Sequence, residues 1–155
     1  MTSSLRKTVA SISALSCLTF WACSSRQKVL DHTFPGYTWL YPDTLWQTFE
    51  VPTIQPCRKV ELQIELEETY PWRNMYVLFF FQPPNQPPTK ARFHLVFADS
   101  LGYWYKKNRR FSQIIIPQLA LSYTGVYRVG LLPYIRQDTL IGIRRLRLYL
   151  LPCTE

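Results

Sequence analysis

The sequence predicts an all-β fold, a single antiparallel β-sandwich of the jelly-roll or immunoglobulin-like kind. Its 155 residues are enough for one domain and too few for two ordinary ones. Aromatic residues make up 15% of the chain, and 12 prolines stand against 5 glycines, a mix that favours short strands between proline turns. Apolar residues recur with a period of two along the chain, and no helical period lasts longer than two turns. We therefore expect about seven short strands in one sandwich.

The N-terminus is typical of an export signal. Arg6 and Lys7 precede a run of 14 uncharged, mostly apolar residues over 9–22. This run is too short to span a bilayer as a helix, but it has the length of the hydrophobic region of a signal peptide. We assign residues 1–22 to a lipoprotein signal peptide; an uncleaved anchor or an ordinary signal peptide cleaved elsewhere is the alternative.

Cys23 is the predicted lipidation site. It follows Ala22 and precedes the polar segment 24–28, an arrangement that resembles a bacterial lipobox. In that class of protein the cysteine receives a diacylglycerol and an acyl chain, which together hold a protein on a membrane. Cys17 is a rival site, but cleavage there would leave residues 18–21, three of which are large and apolar, exposed at the mature N-terminus.

The mature chain is predicted to begin with a tether and continue as the sandwich. Residues 23–36 show no clear periodicity and are assigned to the tether, which leaves 37–153 for the domain. The clearest strand is 58–67, where four apolar residues alternate with polar ones. Residues 75–81 are apolar without alternation, which predicts a central strand covered on both faces, before a loop over 83–88. Further strands are predicted over 90–97, 111–116 (closed by Pro117), 126–132 and 140–151 (with a bulge near Arg144 and Arg145).

Cys57 and Cys153 are candidates for a disulfide. They are the cysteines that remain when Cys17 leaves with the signal peptide and Cys23 is acylated, and export places them in an oxidising compartment. The bridge would fail if the flanking strands were antiparallel neighbours with their ends apart. It would work if these strands ran parallel in facing sheets, or if Pro56 and Pro152 turned the chain back. Two buried, reduced cysteines are the alternative.

The sequence predicts no enzyme, no metal site and no cofactor. Its two histidines are His32, in the predicted tether, and His94, on the polar face of a strand. It contains no Gly-x-Ser-x-Gly motif, no His-Glu-x-x-His motif and no glycine-rich phosphate loop. It has no cluster of cysteine and histidine with the spacing of a zinc site.

Two aromatic segments are candidates for binding. Trp72, Arg73 and Asn74 lie in the loop before the strand 75–81, and Trp104 lies in the basic, aromatic segment 103–110. Exposed aromatic rings beside cations stack on sugars or anchor protein interfaces. The alternative is that Trp72 and Trp104 merely cap the ends of the sandwich.

Several segments together resemble the gliding motility lipoprotein GldH family of Bacteroidetes. Residues 70–77 are similar to its Tyr-Pro-x-x-Asn-aromatic segment, and residues 98–104 to its Ala-Asp-x-x-Gly-x-Trp turn. Residues 125–127 and 135–143 resemble its closing Gly-x-Tyr and Arg-x-Asp-x-Leu-x-Gly-Ile patterns, and 37–49 its opening stretch. These motifs add three binding candidates, which are Asp99, Arg136 and Asp138.

The resemblance implies an envelope lipoprotein needed for gliding, without catalytic residues. We therefore expect a lipid-anchored accessory component of a gliding-motility or secretion-linked assembly, with the membrane and other envelope proteins as partners. The alternative is a glycan-binding lipoprotein that uses Trp72 and Trp104 as stacking platforms. The net charge of +8 suits an anionic partner, and export argues against nucleic acid.

The segment after Cys23 predicts the side of the membrane. Surface-exported lipoproteins of this phylum often carry acidic residues there, whereas residues 24–28 contain two cations and no acid. We expect a domain that faces the periplasm from the outer membrane.

Overall fold

The computed structural model of the chain describes residues 26–153, which form a β-sandwich. The signal peptide and Cys23 lie outside the described residues. The strands are β1 (Gln27–Thr33), β2 (Thr38–Leu40), β3 (Leu45–Val51), β4 (Gln55–Leu66), β5 (Asn74–Gln82), β6 (Thr89–Val96), β7 (Arg110–Leu121), β8 (Gly125–Pro133), β9 (Thr139–Ile141) and β10 (Ile143–Pro152). A short 3-10 helix covers Pro35–Tyr37, and within residues 26–153 no helix is long and apolar enough to cross a membrane.

The strands form two antiparallel sheets of four and one small pair. The first sheet has the order β1-β10-β4-β7, the second has the order β3-β8-β5-β6, and β2 pairs with β9. When that pair is set aside and the eight remaining strands are counted from one to eight along the chain, the two sheets have the orders 1-8-3-6 and 2-7-4-5. This is the jelly-roll topology. The predicted β-sandwich is confirmed, and of its two forms the chain adopts the jelly roll.

The core lies between the two sheets and follows the period-two pattern of their strands. The central strands supply many of the buried side chains: Val60, Leu62 and Ile64 on β4, Val77 and Phe79 on β5, Tyr127, Val129 and Leu131 on β8, and Leu146, Leu148 and Leu150 on β10. Burying one such aliphatic side chain stabilises the fold by about 1.5–3 kcal/mol.

The last predicted strand is divided in two by Gly142. Its φ of 82° favours glycine, and a Cβ atom there would lie 2.6 Å from the backbone of Tyr70. Its N–H donates to the Tyr37 carbonyl, and its own carbonyl accepts from the Glu67 N–H, each at 2.8 Å. The register of β10 against β4 then shifts between Ile143 and Arg145, where the sequence predicts a bulge.

The tether predicted over 23–36 is wrong from Gln27 onward. Residues Gln27–Thr33 are strand β1, which pairs with β10 at the edge of the first sheet, so the sandwich begins ten residues before its predicted start. Val29, Leu30 and Phe34 are buried, and His32 packs edge-on against Phe34. The adjacent residues Val29 and Leu30 are both buried because the register shifts between Lys28 and Leu30, and this breaks the period of two.

Two further strands differ from their predictions. β5 lies inside its sheet as expected, but only one of its faces is buried, since Tyr76 is exposed and Phe80 is half-buried on the other. β7 does not end at Pro117 but continues to Leu121. The register of β4 against β7 is irregular around this proline, which is tolerated because β7 is an edge strand.

Cys57 and Cys153 form a disulfide, with their Cα atoms 5.7 Å apart. The predicted obstacle is absent because β4 and β10 are antiparallel neighbours in which Arg58 pairs with Pro152. In such a pair the first residues of one strand lie beside the last residues of the other, so the expectation that these ends would be apart was wrong. We call this end of the sandwich the disulfide end; it includes the turns 52–54, 83–88 and 122–124.

Removing the bridge is expected to destabilise the domain. The disulfide closes a loop of 96 residue steps, and its loss in the Cys57→Ser, Cys153→Ser double variant should lower the free energy of unfolding by about 2–4 kcal/mol, because the unfolded chain gains entropy. Chemical denaturation monitored by tryptophan fluorescence measures this change. Wild-type protein treated with reductant is the control and should lose the same amount. Alkylation of both cysteines in the unreduced protein would contradict the bridge.

Candidate functional site

An open groove of about 750 Å³ lies at the end of the sandwich opposite the disulfide end. We call this the groove end. Its volume is within the range of pockets that hold small ligands or the side chains of a partner. The side chains that give the groove its chemistry are Trp72, Asn74, Tyr76, Arg92, Tyr134 and Arg136.

Strand pairing brings the two tyrosines of the groove together. β5 begins at Asn74 and β8 ends at Pro133, and Val77 of β5 pairs with Pro133. Because side chains alternate along a strand, Tyr76 points away from the core while Val77 points into it. The N–H of Tyr134, the first residue after β8, donates to the Tyr76 carbonyl at 2.9 Å. This hydrogen bond holds the segment after β8 beside the start of β5.

Arg92 lies between the two rings. It stands on β6, and its guanidinium carbon is 5.6 Å from the Tyr76 ring centre and 5.5 Å from the Tyr134 ring centre. Each cation–π contact at an exposed site stabilises this arrangement by about 0.5–1 kcal/mol. The guanidinium is thus held at the groove by two rings.

His94 extends the aromatic wall. Its ring stacks on Tyr76, with the centroids 4.4 Å apart and the planes 11° from parallel. Its Nε2 atom lies 3.0 Å from the Asn74 side-chain amide, so that amide is fixed at the groove. His94 is exposed on the outer face of β6, as the sequence predicts.

A buried tyrosine supports the floor of the groove. Tyr70 is almost fully buried, its hydroxyl donates to the Asn74 carbonyl at 2.9 Å, and burial raises the pKa of the phenol. The phenol therefore stays neutral and serves as a fixed brace for the start of β5.

The positive charge of the groove is not neutralised by neighbouring carboxylates. Neither Arg92 nor Arg136 has a carboxylate within ion-pair distance among residues 26–153. The ion pairs formed in that part of the chain lie on or beside the first sheet; examples are Arg26 with Glu61 and Arg147 with Glu65.

The best-defined of those pairs joins β1 to β10. Arg145 donates two hydrogen bonds of 2.7 Å to the Asp31 carboxylate and lowers the pKa of that group to about 2. The two sheets thus differ in how their charges are placed: acids of the first sheet pair with its cations, whereas the groove on the second sheet holds cations without a carboxylate within ion-pair distance in residues 26–153.

The binding residues predicted from the sequence do not all meet in this groove. Trp72 (45% exposed), Asn74 and Arg136 line it. Arg73 and Asp138 are exposed outside this lining, and each contributes a backbone carbonyl to a neighbouring segment: Arg73 accepts from Phe97 and Ala98, and Asp138 accepts from Tyr41.

Trp104 and Asp99 occupy structural positions. Arg109 lies 3.4 Å from the centre of the Trp104 ring, and Phe97 lies parallel to that ring with a centroid distance of 6.4 Å. A ring covered in this way is a poor stacking platform, which favours the interpretation of Trp104 as a cap of the sandwich. The Asp99 carboxylate accepts the N–H groups of Leu101 and Tyr103, each at 2.9 Å, and so fixes a turn.

Sequence reasoning missed Tyr76, Arg92 and Tyr134. The run 75–81 was interpreted as buried on both faces, although its alternation of Met75, Tyr76 and Val77 is a weak sign that Tyr76 faces outward. Arg92 and Tyr134 reach the groove only through strand pairing, which no local pattern reveals. Within the described part of the chain, no group of three or more possible metal ligands occurs.

Comparison with known proteins identifies the family. A search of curated proteins finds no match to this chain. The family model described as GldH lipoprotein matches residues 30–148, which begin within β1 and end within β10 and so include all or part of every strand. Membership of a lipoprotein family indicates a lipid-anchored protein of the cell envelope. The chain belongs to the GldH lipoprotein family.

Proposed function

We propose that this protein is a non-enzymatic accessory component of a gliding-motility or secretion-linked envelope assembly, which docks a partner protein in the groove. The observation that carries the proposal is the groove itself, where exposed aromatic rings lie beside two arginines, Arg92 and Arg136, that have no ion-pair partner in residues 26–153. Tryptophan, tyrosine and arginine are the residues that contribute most binding energy at protein interfaces. The family supports a role linked to gliding motility.

The chemistry of the groove favours an acidic segment of the partner. Arg92 is oriented by Tyr76 and Tyr134 before any partner arrives, so little side-chain entropy is lost on binding. Arg136 stands exposed on the same groove and supplies a second cation. A carboxylate that enters would accept charge-assisted hydrogen bonds from the guanidinium groups while an apolar neighbour packs on Trp72.

Charge reversal in the groove should abolish partner capture. In the Arg92→Glu, Arg136→Glu variant we expect at least about a tenfold loss of co-purified envelope proteins, because like charges would then face the acidic partner. The measurement is affinity purification from detergent-solubilised envelopes, followed by quantitative mass spectrometry.

Lys106→Glu with Lys107→Glu is the matched control. It makes the same change in net charge at exposed positions outside the groove lining, and it should leave capture unchanged. Equal capture by wild type and the groove variant would refute docking at this site.

A glycan is the second candidate ligand, and the placement of aromatic rings beside arginines in the groove supports it. Trp72, Tyr76 and Tyr134 offer rings beside guanidinium donors, an arrangement that stacks on sugar faces and binds acidic sugar substituents. The test is a glycan array probed with the purified protein.

If the ligand is a glycan, wild type should bind specific array members, and Trp72→Ala should weaken that binding by about tenfold or more. Trp104→Phe is the control and should retain it, because that ring is covered by Arg109. An array without specific binding, together with partner capture lost on charge reversal, would leave the protein partner as the ligand.

We further propose lipidation at Cys23 and a domain that faces the periplasm from the outer membrane. The supporting observations are the lipobox-like sequence around Cys23 and the two cations, without an acid, in residues 24–28.

Protease added to intact cells should leave the domain uncut. After permeabilisation of the outer membrane the same protease should reach exposed loops such as 101–109, which carry lysine and arginine. Immunoblotting of the domain follows both reactions, and a known surface lipoprotein is the control for protease activity. Removal of the domain from unpermeabilised cells would contradict this orientation.

A further inference from the structure

We propose that the disulfide end of the sandwich rests on the surface of the phospholipid bilayer that holds the lipid anchor. This proposal rests on the acylation of Cys23 given above. It adds which end of the domain contacts the lipid and which end faces away.

The N-terminus leaves the domain at the disulfide end. Gln27, the first residue of β1, pairs with Leu150, three residues before Cys153, and Leu150 pairs with Val60, three residues after Cys57. The Cys57–Cys153 bridge lies beyond these pairs, toward the end of the same sheet. The chain that leads back toward the anchor therefore starts about 10 Å from the disulfide, on the disulfide side of the sandwich.

The connection between anchor and domain is short. Four residue steps separate Cys23 from Gln27, and even fully extended they span only about 14 Å. The polar headgroup layer on each side of a bilayer is about 6 Å thick. Crossing it uses a large part of the length of this linker. The disulfide end must therefore lie at or close to the lipid surface.

The turns at the disulfide end suit contact with lipid. Residues 52–54, 83–88 and 122–124 contain no Asp, Glu, Lys or Arg. The turns lie side by side: Val51 pairs with Gly125, and Pro84 would be 3.3 Å from a Cβ atom on Gly125. Ile54 is 61% exposed, Tyr123 is 50% exposed, and both stand at turn tips. Tyrosine and aliphatic side chains at such positions partition into the interfacial layer of a membrane.

The contact relies on apolar and aromatic groups rather than on charge. The two cations that follow Cys23 already have partners, since Arg26 pairs with Glu61 at 2.6 Å and Lys28 pairs with Asp31 at 2.6 Å. The groove end differs in composition, because its loops carry charges such as Glu68, Asp99 and Lys106. Uncharged turns next to the anchor and charged loops away from it match a domain that stands upright on the bilayer.

This orientation holds the groove away from the lipid. β5 runs from Asn74, at the groove, to Gln82, at the disulfide end, and its nine residues span roughly 30 Å. The groove would thus open into the aqueous space, where a partner can reach it.

Lipid photolabelling of the acylated full-length protein tests the proposal. The protein is reconstituted into vesicles of phosphatidylethanolamine and phosphatidylglycerol that contain a phospholipid with a diazirine close to its glycerol group. After irradiation, peptide mass spectrometry locates the adducts. Adducts on 52–54 and 122–126 should exceed those on 99–109 by about fivefold or more, since only the first two segments would touch the interface.

Two matched variants sharpen the test. Ile54→Asp with Tyr123→Asp should lower the adducts on the remaining turn, 83–88, by about threefold, because charged tips withdraw the end from the interface. Leu101→Asp makes the same kind of change at an 80% exposed leucine of the groove end and should alter nothing. Circular dichroism checks that both variants are folded.

The other possible results of these measurements would overturn the proposal, and each identifies which part of it is wrong. Equal labelling of both ends, or stronger labelling of 99–109, would refute the orientation while leaving the anchor and the groove untouched. An absence of lipid adducts on 52–54, 83–88 and 122–126 would refute contact of this end with the bilayer. An intact mass without acyl chains on Cys23 would refute the anchor and this inference together.

Discussion

The antiparallel pairing of β4 with β10 is the constraint on which most of this structure depends. These two long strands form the middle of the first sheet and supply the leucine and valine side chains of one wall of the core. Their register places Cys57 beside Cys153, positions β1 through its pairing with β10, and shifts at Ile143 so that Gly142 can approach Tyr70. A one-residue slip in this pair would expose the inward side chains of β10 and separate the cysteines.

The sequence predicts individual strands well wherever one face of the strand is buried and the other is exposed to solvent. The strand predicted over 58–67 lies within β4 but for its last residue, because its alternation is strong and local. β1 was missed, since an edge strand with few buried side chains carries no such signal and its stability comes from the distant β10. The structure has ten strands where about seven are predicted, and the additional ones are mainly β1, β2 and β9. β2 and β9 are short and pair with each other because the register of the longer strands brings them together.

The candidate site was predictable only in part. Trp72 and Asn74 precede a strand in an aromatic, polar segment, so local sequence marked them. Arg92 and Tyr134 are 42 residues apart, and they meet because β6 and β8 both pair with β5. Trp104 shows the reverse case, in which a segment of binding-type composition supplies packing instead, because Arg109 and Phe97 cover its ring.

The proline within β7 affects how readily this edge of the sheet can pair with a strand of another chain. β7 is an edge strand of twelve residues, long enough to recruit a foreign strand through its free backbone groups. Pro117 has no N–H to offer, and the register irregularity around it interrupts the straight row of donors and acceptors. A foreign strand could therefore pair along only half of this edge at a time. Pro117, which obscured the length of β7 in the sequence, thus limits aggregation through this edge.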